Sequence, residues 1–355
     1  MIQWLSDAVL ANWRELSDGQ PRPRRLVAAQ YGHSGHPTSA VVVFLFPPGA
    51  RDPVVVAKVP RTPGGAEALR AEATALQQVQ SELRETDLSG ALPRRALLLE
   101  EAGLTALIQS FAPGAPMASR SRWRPWVSRR RIAGDFAIAG RWLTEFQRIT
   151  QCGSTAVGED DWEKGMQGVA SACEGQSALS ATERRGLERA RAVAAELKGA
   201  EVPLVRRHGD FSAVNLLLHG RRLSVVDWRH SRPAKSPLFD ALTFATTYGF
   251  EVLHTLYRPM PAEKAVATAY FSDSSLARSV RDFVDAQCTC LGAPVGLAGA
   301  SLPLVVAKLA TRENRTSASH PQYDRRGRAI LRVILEGFAA APASHWLFGG
   351  DSYAV

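Results

Sequence analysis

Cysteine is scarce: the chain of 355 residues holds 4. That is too few for a disulfide framework at this length. Cys288-Thr289-Cys290 is too short a motif to bind metal by itself and reads as two helix thiols. No zinc spacing and no aromatic-interleaved RNA motif occurs, so no motif supports a nucleic-acid partner. Long apolar runs are missing too. The longest clear one, Ala40 to Phe46, is strand-sized, whereas a membrane span needs roughly 18 residues. The start, MIQWLSDAVLANWRE, carries Asp7 and Glu15 and lacks the basic-then-apolar order of a signal peptide. These absences point to a cytoplasmic protein with no transmembrane segment. Internal repeats and low-complexity stretches are absent, and so is a full G-x-G-x-x-G pattern.

What is present is ordinary globular material, 45% apolar and 22% charged, in a chain long enough for two lobes with separate cores. The formal charge of +9 admits two readings: attraction to an anionic partner, or the drift of an Arg-rich composition. Ile2, Leu5, Val9, Leu10 and Trp13 fall on one face of a short N-terminal helix. Leu26–Gln30, Ala40–Phe46 and Val54–Val59 then read as a three-strand meander. Tyr31-Gly32-His33-Ser34-Gly35-His36-Pro37 joins the first two strands, and Pro47-Pro48-Gly49-Ala50 the next two. Lys58 sits among β-branched residues at the end of the third strand. It is either an exposed edge lysine or a cation projecting from a buried sheet. The next element bears on the choice. Leu69, Ala73, Leu76, Val79 and Leu83 predict a helix from Ala66 to Glu85, and Glu72 lies beside that stripe. Glu67, in the first turn, competes with Glu72 as partner for Lys58. Ala96–Glu101 and Thr105–Phe111 predict two more strands, and Ala112-Pro113-Gly114-Ala115-Pro116 marks a boundary.

The second half carries the chemistry. His208-Gly209-Asp210-Phe211-Ser212-Ala213-Val214-Asn215 is followed, twelve residues after the amide, by Asp227 in Ser224-Val225-Val226-Asp227-Trp228. Leu216–Leu218 and Leu223–Val226 flank His219-Gly220-Arg221-Arg222, a hairpin signal that would bring Asn215 and Asp227 close together. One loop carboxylate, one amide and one strand-end carboxylate suit phosphoryl transfer. An alcohol nucleophile needs an acceptor for its proton, a role for Asp210. Hard Mg²⁺ among phosphates takes oxygen ligands and keeps several waters, so Asn215 and Asp227 suffice from the protein.

HGDFSAVN followed by VVDW resembles the aminoglycoside phosphotransferase and choline kinase group, a branch of the protein-kinase-like fold. The resemblance covers roughly residues 25–250. It implies an α+β, bilobal architecture: a small N-terminal lobe (1–111) of antiparallel sheet plus one helix, then a larger α-rich lobe (112–355). The small lobe would bind nucleotide and the large one would hold the catalytic and acceptor-binding groups. A hinge near 109–114 would join them, with the backbone of Gln109 and Phe111 facing adenine. The resemblance further implies that Lys58, fixed by Glu72, steadies the α/β-phosphates of ATP (or GTP). Asp210 would be the catalytic base, and Asn215 and Asp227 the Mg²⁺ ligands. Gly32, Ser34 and Gly35 would offer backbone N–H groups to phosphates, unless their segment is an ordinary hairpin loop. His208 and Asp240 would brace the catalytic loop. A small-molecule hydroxyl compound would be the acceptor. A protein kinase fits less well, since D-F-G, A-P-E and a long activation segment are all missing.

Three segments stay open on sequence. Ser119–Arg131, rich in Arg and Trp, is either a solvated helix start or an anion-recognition edge. Glu159, Asp160 and Asp161 read as a solvated turn or as contacts for a cationic acceptor. Many members place an acid after the Asp-Trp pair, and Arg229 stands there instead. A cation at that point argues for a neutral-to-anionic acceptor, such as a sugar-like or nucleoside-like compound, over a polycationic aminoglycoside. A non-catalytic nucleotide-binding protein on the same fold is the principal rival. Ile132–Ile149, Thr182–Lys198, Ala262–Tyr270, Leu276–Leu291, Leu302–Arg312 and Ala329–Phe338 predict the helices of the second lobe. The oligomeric state leaves no trace in the pattern.

Overall fold

A computed structural model describes residues 1–17, 19–31, 40–101, 103–119, 129–174, 178–253, 260–294, 296–316 and 321–348. The chain forms two compact units. The first contains Met1–Gly114 and Leu217–Ser231, and the second Ala115–Leu216 and Arg232–Val355. Residues 217–231 thus cluster with the N-terminal segment, although they lie far along the chain.

The first unit is built on five antiparallel strands: β1 (Val27–Tyr31), β2 (Ala40–Phe46), β3 (Val55–Pro60), β4 (Ala96–Glu101) and β5 (Leu104–Ser110). Their order is β1-β2-β3-β5-β4, so β3 is central. Period-two alternation sorts the side chains. Val43, Leu45, Val55, Ala57, Val59, Ala106 and Ile108 face one way and form a core with Leu5, Val9, Trp13 and Leu16. The last four come from α1 (Ile2–Ala11) and α2 (Trp13–Leu16). The opposite face packs Leu107 against Leu69 and Ala73 of α3 (Pro63–Leu83). Sequence reasoning placed one helix on this sheet; the structure covers both faces, because the amphipathic N-terminus folds onto it. Thr62 caps α3, its hydroxyl accepting from Gly65 N at 3.2 Å, and Pro63 occupies the first turn, where its missing N–H costs nothing. Leu76, Val79 and Leu83 are fully buried, each contributing about 1.5–3 kcal/mol. Gly114 ends the N-terminal part of this unit at φ 125, and a Cβ there would lie 2.8 Å from the Leu218 carbonyl carbon.

The second unit is mainly helical: α4 (Arg129–Thr150), α5 (Glu159–Glu174), α6 (Ala181–Glu196), α7 (Phe239–Leu253), α8 (Ala262–Phe271), α9 (Ser275–Leu291), α10 (Leu297–Thr316) and α11 (Pro321–Ala340). Ser180 and Glu183 close a capping box on α6. An aromatic cluster joins α4, α7 and α9, with the Phe136 ring 5.0 Å from Phe244, 4.9 Å from Tyr248 and 5.4 Å from Phe283. Among the described residues no helix is long and apolar enough to cross a membrane.

Candidate active site

Lys58 sits on the central strand, opposite Val42 of β2 and Leu107 of β5. Its neighbours Ala57 and Val59 point into the core beneath α1 and α2, so alternation turns Lys58 to the α3 face. There it pairs with Glu72, whose side chain is 2% exposed. Glu67 is exposed. Gln109 Nε2 donates to the same Glu72 Oε1 at 3.3 Å. Asp227 Oδ1 lies 3.9 Å from Lys58 Nζ, and Arg229 Nη2 donates to Asp227 Oδ2 at 3.1 Å. Glu72, Lys58, Asp227 and Arg229 therefore alternate in charge. Burial on its own would lower the Lys58 pKa. Glu72 and Asp227 outweigh it, and against some opposition from Arg229 they hold the ammonium above its ordinary range.

Asp227 is the one non-glycine residue with positive φ among the described residues, at 68°. A left-handed Asp costs about 1–3 kcal/mol and persists where its surroundings fix it. The anchor is Trp228, fully buried, with Nε1 donating to Val225 O at 3.0 Å. On the Lys58 face of the sheet, Phe44 stands 6.0 Å from Tyr31 and 6.3 Å from Phe111, edge to face. Tyr31 is 68% exposed, so this aromatic row opens to solvent at one end.

The second unit carries the 208–215 loop. The buried Asp240 carboxylate accepts from His208 N at 2.6 Å and Gly209 N at 2.8 Å. Burial raises its pKa, while His208 and the two N–H donors oppose the rise. Gly209 adopts φ 82, the left-handed region that favours glycine. Asp210 N donates to His208 Nδ1 at 3.2 Å, so in the neutral imidazole the proton sits on Nε2. Asn215 Nδ2 donates to Asp210 O at 2.9 Å, closing the loop on itself. Phe211 is fully buried and stacks on Trp142 of α4 at 5.5 Å. Gln147 of α4 donates to Pro237 O at 2.6 Å, tying α4 to the segment that delivers Asp240. The loop is thus pinned from below by rings and a carboxylate, while Asp210 itself is only partly buried.

The structure gathers Lys58, Glu72 and Asp227 in the first unit, and Asp210 with Asn215 in the second. Gln109 and Phe111 stand differently from expectation. Gln109 lies inside β5, between Val56 and Ala96, with its side chain on Glu72. Phe111 donates its amide to Val54 O at 2.9 Å. The Phe111 N–H is thus engaged within the sheet. Ser34 and Gly35 lie outside the described residues, as do residues 120–128 of the Arg-rich segment. Glu159, Asp160 and Asp161 begin α5, but their side chains lie outside the described set. Sequence reasoning missed three contributions: the Gln109 contact with Glu72, the Arg229 contact with Asp227 and the aromatic row. A Gln within Leu107-Ile108-Gln109-Ser110 was the available signal for the first; β2 is apolar at every position, so its faces could not be told apart.

Among the described residues no group of three or more His, Cys, Asp or Glu converges into a metal centre. Asp227, in the first unit, carries carboxylate oxygens and Asn215, in the second, an amide oxygen, the hard donor type that suits Mg²⁺.

No curated protein matches the chain. Solved structures do. A thermostable variant of aminoglycoside phosphotransferase APH(4)-Ia, in ternary complex with AMP-PNP and hygromycin B, is 12% identical, with 92% of this chain and 98% of that chain covered and a TM-score of 0.52. A further structure of APH(4)-Ia is 13% identical, covers 94% and 100%, and has a TM-score of 0.51. At these identities the likeness is one of fold, and the fold is that of the kinase-like enzymes, with the α+β composition expected. The sequence profile of the phosphotransferase enzyme family, APH, matches residues 43–263, a span that runs from the central sheet through both Asp210 and Asp227. Because that match takes in well over half of the 355 residues, the chain belongs to the phosphotransferase enzyme family.

Proposed function

We propose that the protein transfers the γ-phosphoryl group of ATP (or GTP) to a hydroxyl of a small, neutral-to-anionic molecule. The observation that carries this reading is Lys58 on the central strand, flanked by the buried Glu72 and by a left-handed Asp227. A structural ion pair would not call for a strained third partner. In this reading the first unit is the nucleotide-binding lobe and the second carries the catalytic and acceptor-binding groups. Lys58 grips the α/β-phosphates, and Glu72 keeps its ammonium charged and aimed. Tyr31, Phe44 and Phe111 give the base an apolar wall; Phe111 acts through its ring, and Gln109 acts through Glu72. Asp210 orients the attacking hydroxyl and accepts its proton, while Asp240 and His208 hold the loop that carries it. Asn215 and Asp227 hold Mg²⁺, whose charge offsets that of the phosphates. Catalysis is then mainly positioning and charge compensation.

Arg229, beside Asp227, supports the choice of acceptor class, since a polycationic aminoglycoside calls for carboxylates. An ATP-consumption screen over sugars, nucleosides, amino alcohols and aminoglycosides, with Asp210→Ala as control, tests the reading. Turnover on at least one hydroxyl acceptor, lost in the variant, is the expected result. A variant as active as the wild type would sink the mechanism. Selective phosphorylation of kanamycin-type compounds would overturn the acceptor class alone. Metal-dependent nucleotide binding with no turnover would favour a non-catalytic binding protein.

A further inference from the structure

We infer that a polar cavity of the first unit, at the end of β5, binds a small molecule through a phosphate or carboxylate group. The cavity measures about 330 Å³ and belongs wholly to that unit. Three buried serines form its floor. Ser17 follows α2, Ser110 ends β5, and Ser224 comes from the hairpin strand Arg222–Val225. Ser110 Oγ accepts the amides of Arg94 at 2.7 Å and Arg95 at 3.2 Å, which leaves its own proton to donate. Ser17 donates to Gln20 O and Ser224 to Pro113 O, each at 3.5 Å. Those bonds are stretched well past the usual O–H···O length of about 2.7–2.8 Å. Gln20 O is already held more closely, by Trp13 Nε1 at 2.7 Å. Both hydroxyls can therefore turn to a better acceptor at little cost.

Charge selects that acceptor. Arg94, His219 and Arg222 stand exposed around the cavity, and the one carboxylate that lines it is Asp52. Two guanidinium groups against one acid leave the lining positive before the imidazole is counted. The turn at Gly220 brings His219 and Arg222 to the same end of the hairpin. Arginine matches the paired oxygens of carboxylate and phosphate, and such charge-assisted bonds are the strong ones. A cationic molecule would meet the guanidinium groups, and an apolar one would leave the hydroxyls without an acceptor. Lys58, Glu72, Asp227 and Arg229 do not line this cavity. The site is therefore separate from that charged cluster, and it stands whether or not the proposed reaction does.

The test is calorimetric titration of the full chain with inorganic phosphate and, separately, with succinate. At least one of the two should bind, and should still bind Lys58→Met, which removes the cation of the other cluster. The tighter of the two names the group, phosphate or carboxylate. Arg222→Gln should weaken that binding roughly tenfold, the worth of one charge-assisted hydrogen bond. Ser224→Ala should weaken it in the same direction. Asp52→Asn, which removes the opposing carboxylate, should tighten it, a gain that damage to the fold would not produce. Arg222 and Asp52 are exposed, so neither substitution disturbs the core. Failure of both anions to bind at millimolar concentration overturns the inference. So does an affinity that Arg222→Gln and Asp52→Asn leave unchanged, or binding that Lys58→Met abolishes.

Discussion

At the scale of single residues, the site is a problem in keeping charge where water is scarce. Glu72 is almost wholly buried, and pairing with Lys58 offsets part of that cost. Removing one partner strands the other. Glu72→Ala is therefore expected to lower kcat/KM for nucleotide by roughly 100-fold, the scale seen when a positioned electrostatic group is lost. Steady-state kinetics with the nucleotide varied would check this, and an unchanged kcat/KM would refute the role. The spacing of Lys58 and Glu72 was legible, because a lysine in an apolar strand and an acid beside a helical stripe both stand out from their surroundings. The contacts of Gln109 and Arg229 were not. Each depends on which way a side chain turns once the backbone is fixed, and residue order does not say.

At the scale of elements, periodicity predicted β2 (Ala40–Phe46) and β4 (Ala96–Glu101) with the bounds the structure shows, and the other sheet strands to within a residue. Period two with flanking turn residues makes a strand easy to read. Within residues 150–204 the helix expected at Thr182–Lys198 stands as α6 (Ala181–Glu196), whereas α5 was not delimited, since it is polar and lacks a clear apolar stripe. Helix α7 was not foreseen either; it is buried on nearly every side, with Asp240, Thr243, Thr246 and Thr247 among its buried residues, so no apolar stripe stands out against a polar face. Close helix contacts are also silent in sequence. A Cβ on Gly186 of α6 would lie 1.9 Å from Leu335 O of α11. Gly186→Ala must push the two helices apart, at an expected cost of about 1–3 kcal/mol or more. Chemical denaturation would show it as a lower midpoint at unchanged slope, and a neutral result would mean the helices can separate at no cost.

At the scale of the whole molecule, residues of both units enter the proposed chemistry, and residues 217–231 belong to the unit formed by the N-terminal segment. Ligand binding is then the global readout. A nucleotide that binds only the folded chain stabilises it by about 2.7 kcal/mol at 100 times its dissociation constant. Thermal melting with and without Mg²⁺ and nucleotide should therefore show a rise in the wild type. Lys58→Met and Asp227→Asn, both in the first unit, and Asn215→Ala in the second should each reduce the rise. A full rise in all three variants would remove these residues from nucleotide binding.

The sequence alone determined membership of the phosphotransferase family and supplied the polar residues, Lys58, Glu72, Asp210, Asn215 and Asp227, to which the proposed phosphoryl transfer gives its roles. It also determined most strands and helices, through periodicity. Only tertiary structure decided that Gln109 serves Glu72, that Asp227 is left-handed, and that Arg229 closes on it. Those outcomes depend on packing and on charges meeting across long stretches of chain, with Lys58 and Asp227 169 positions apart, where residue spacing no longer limits the geometry.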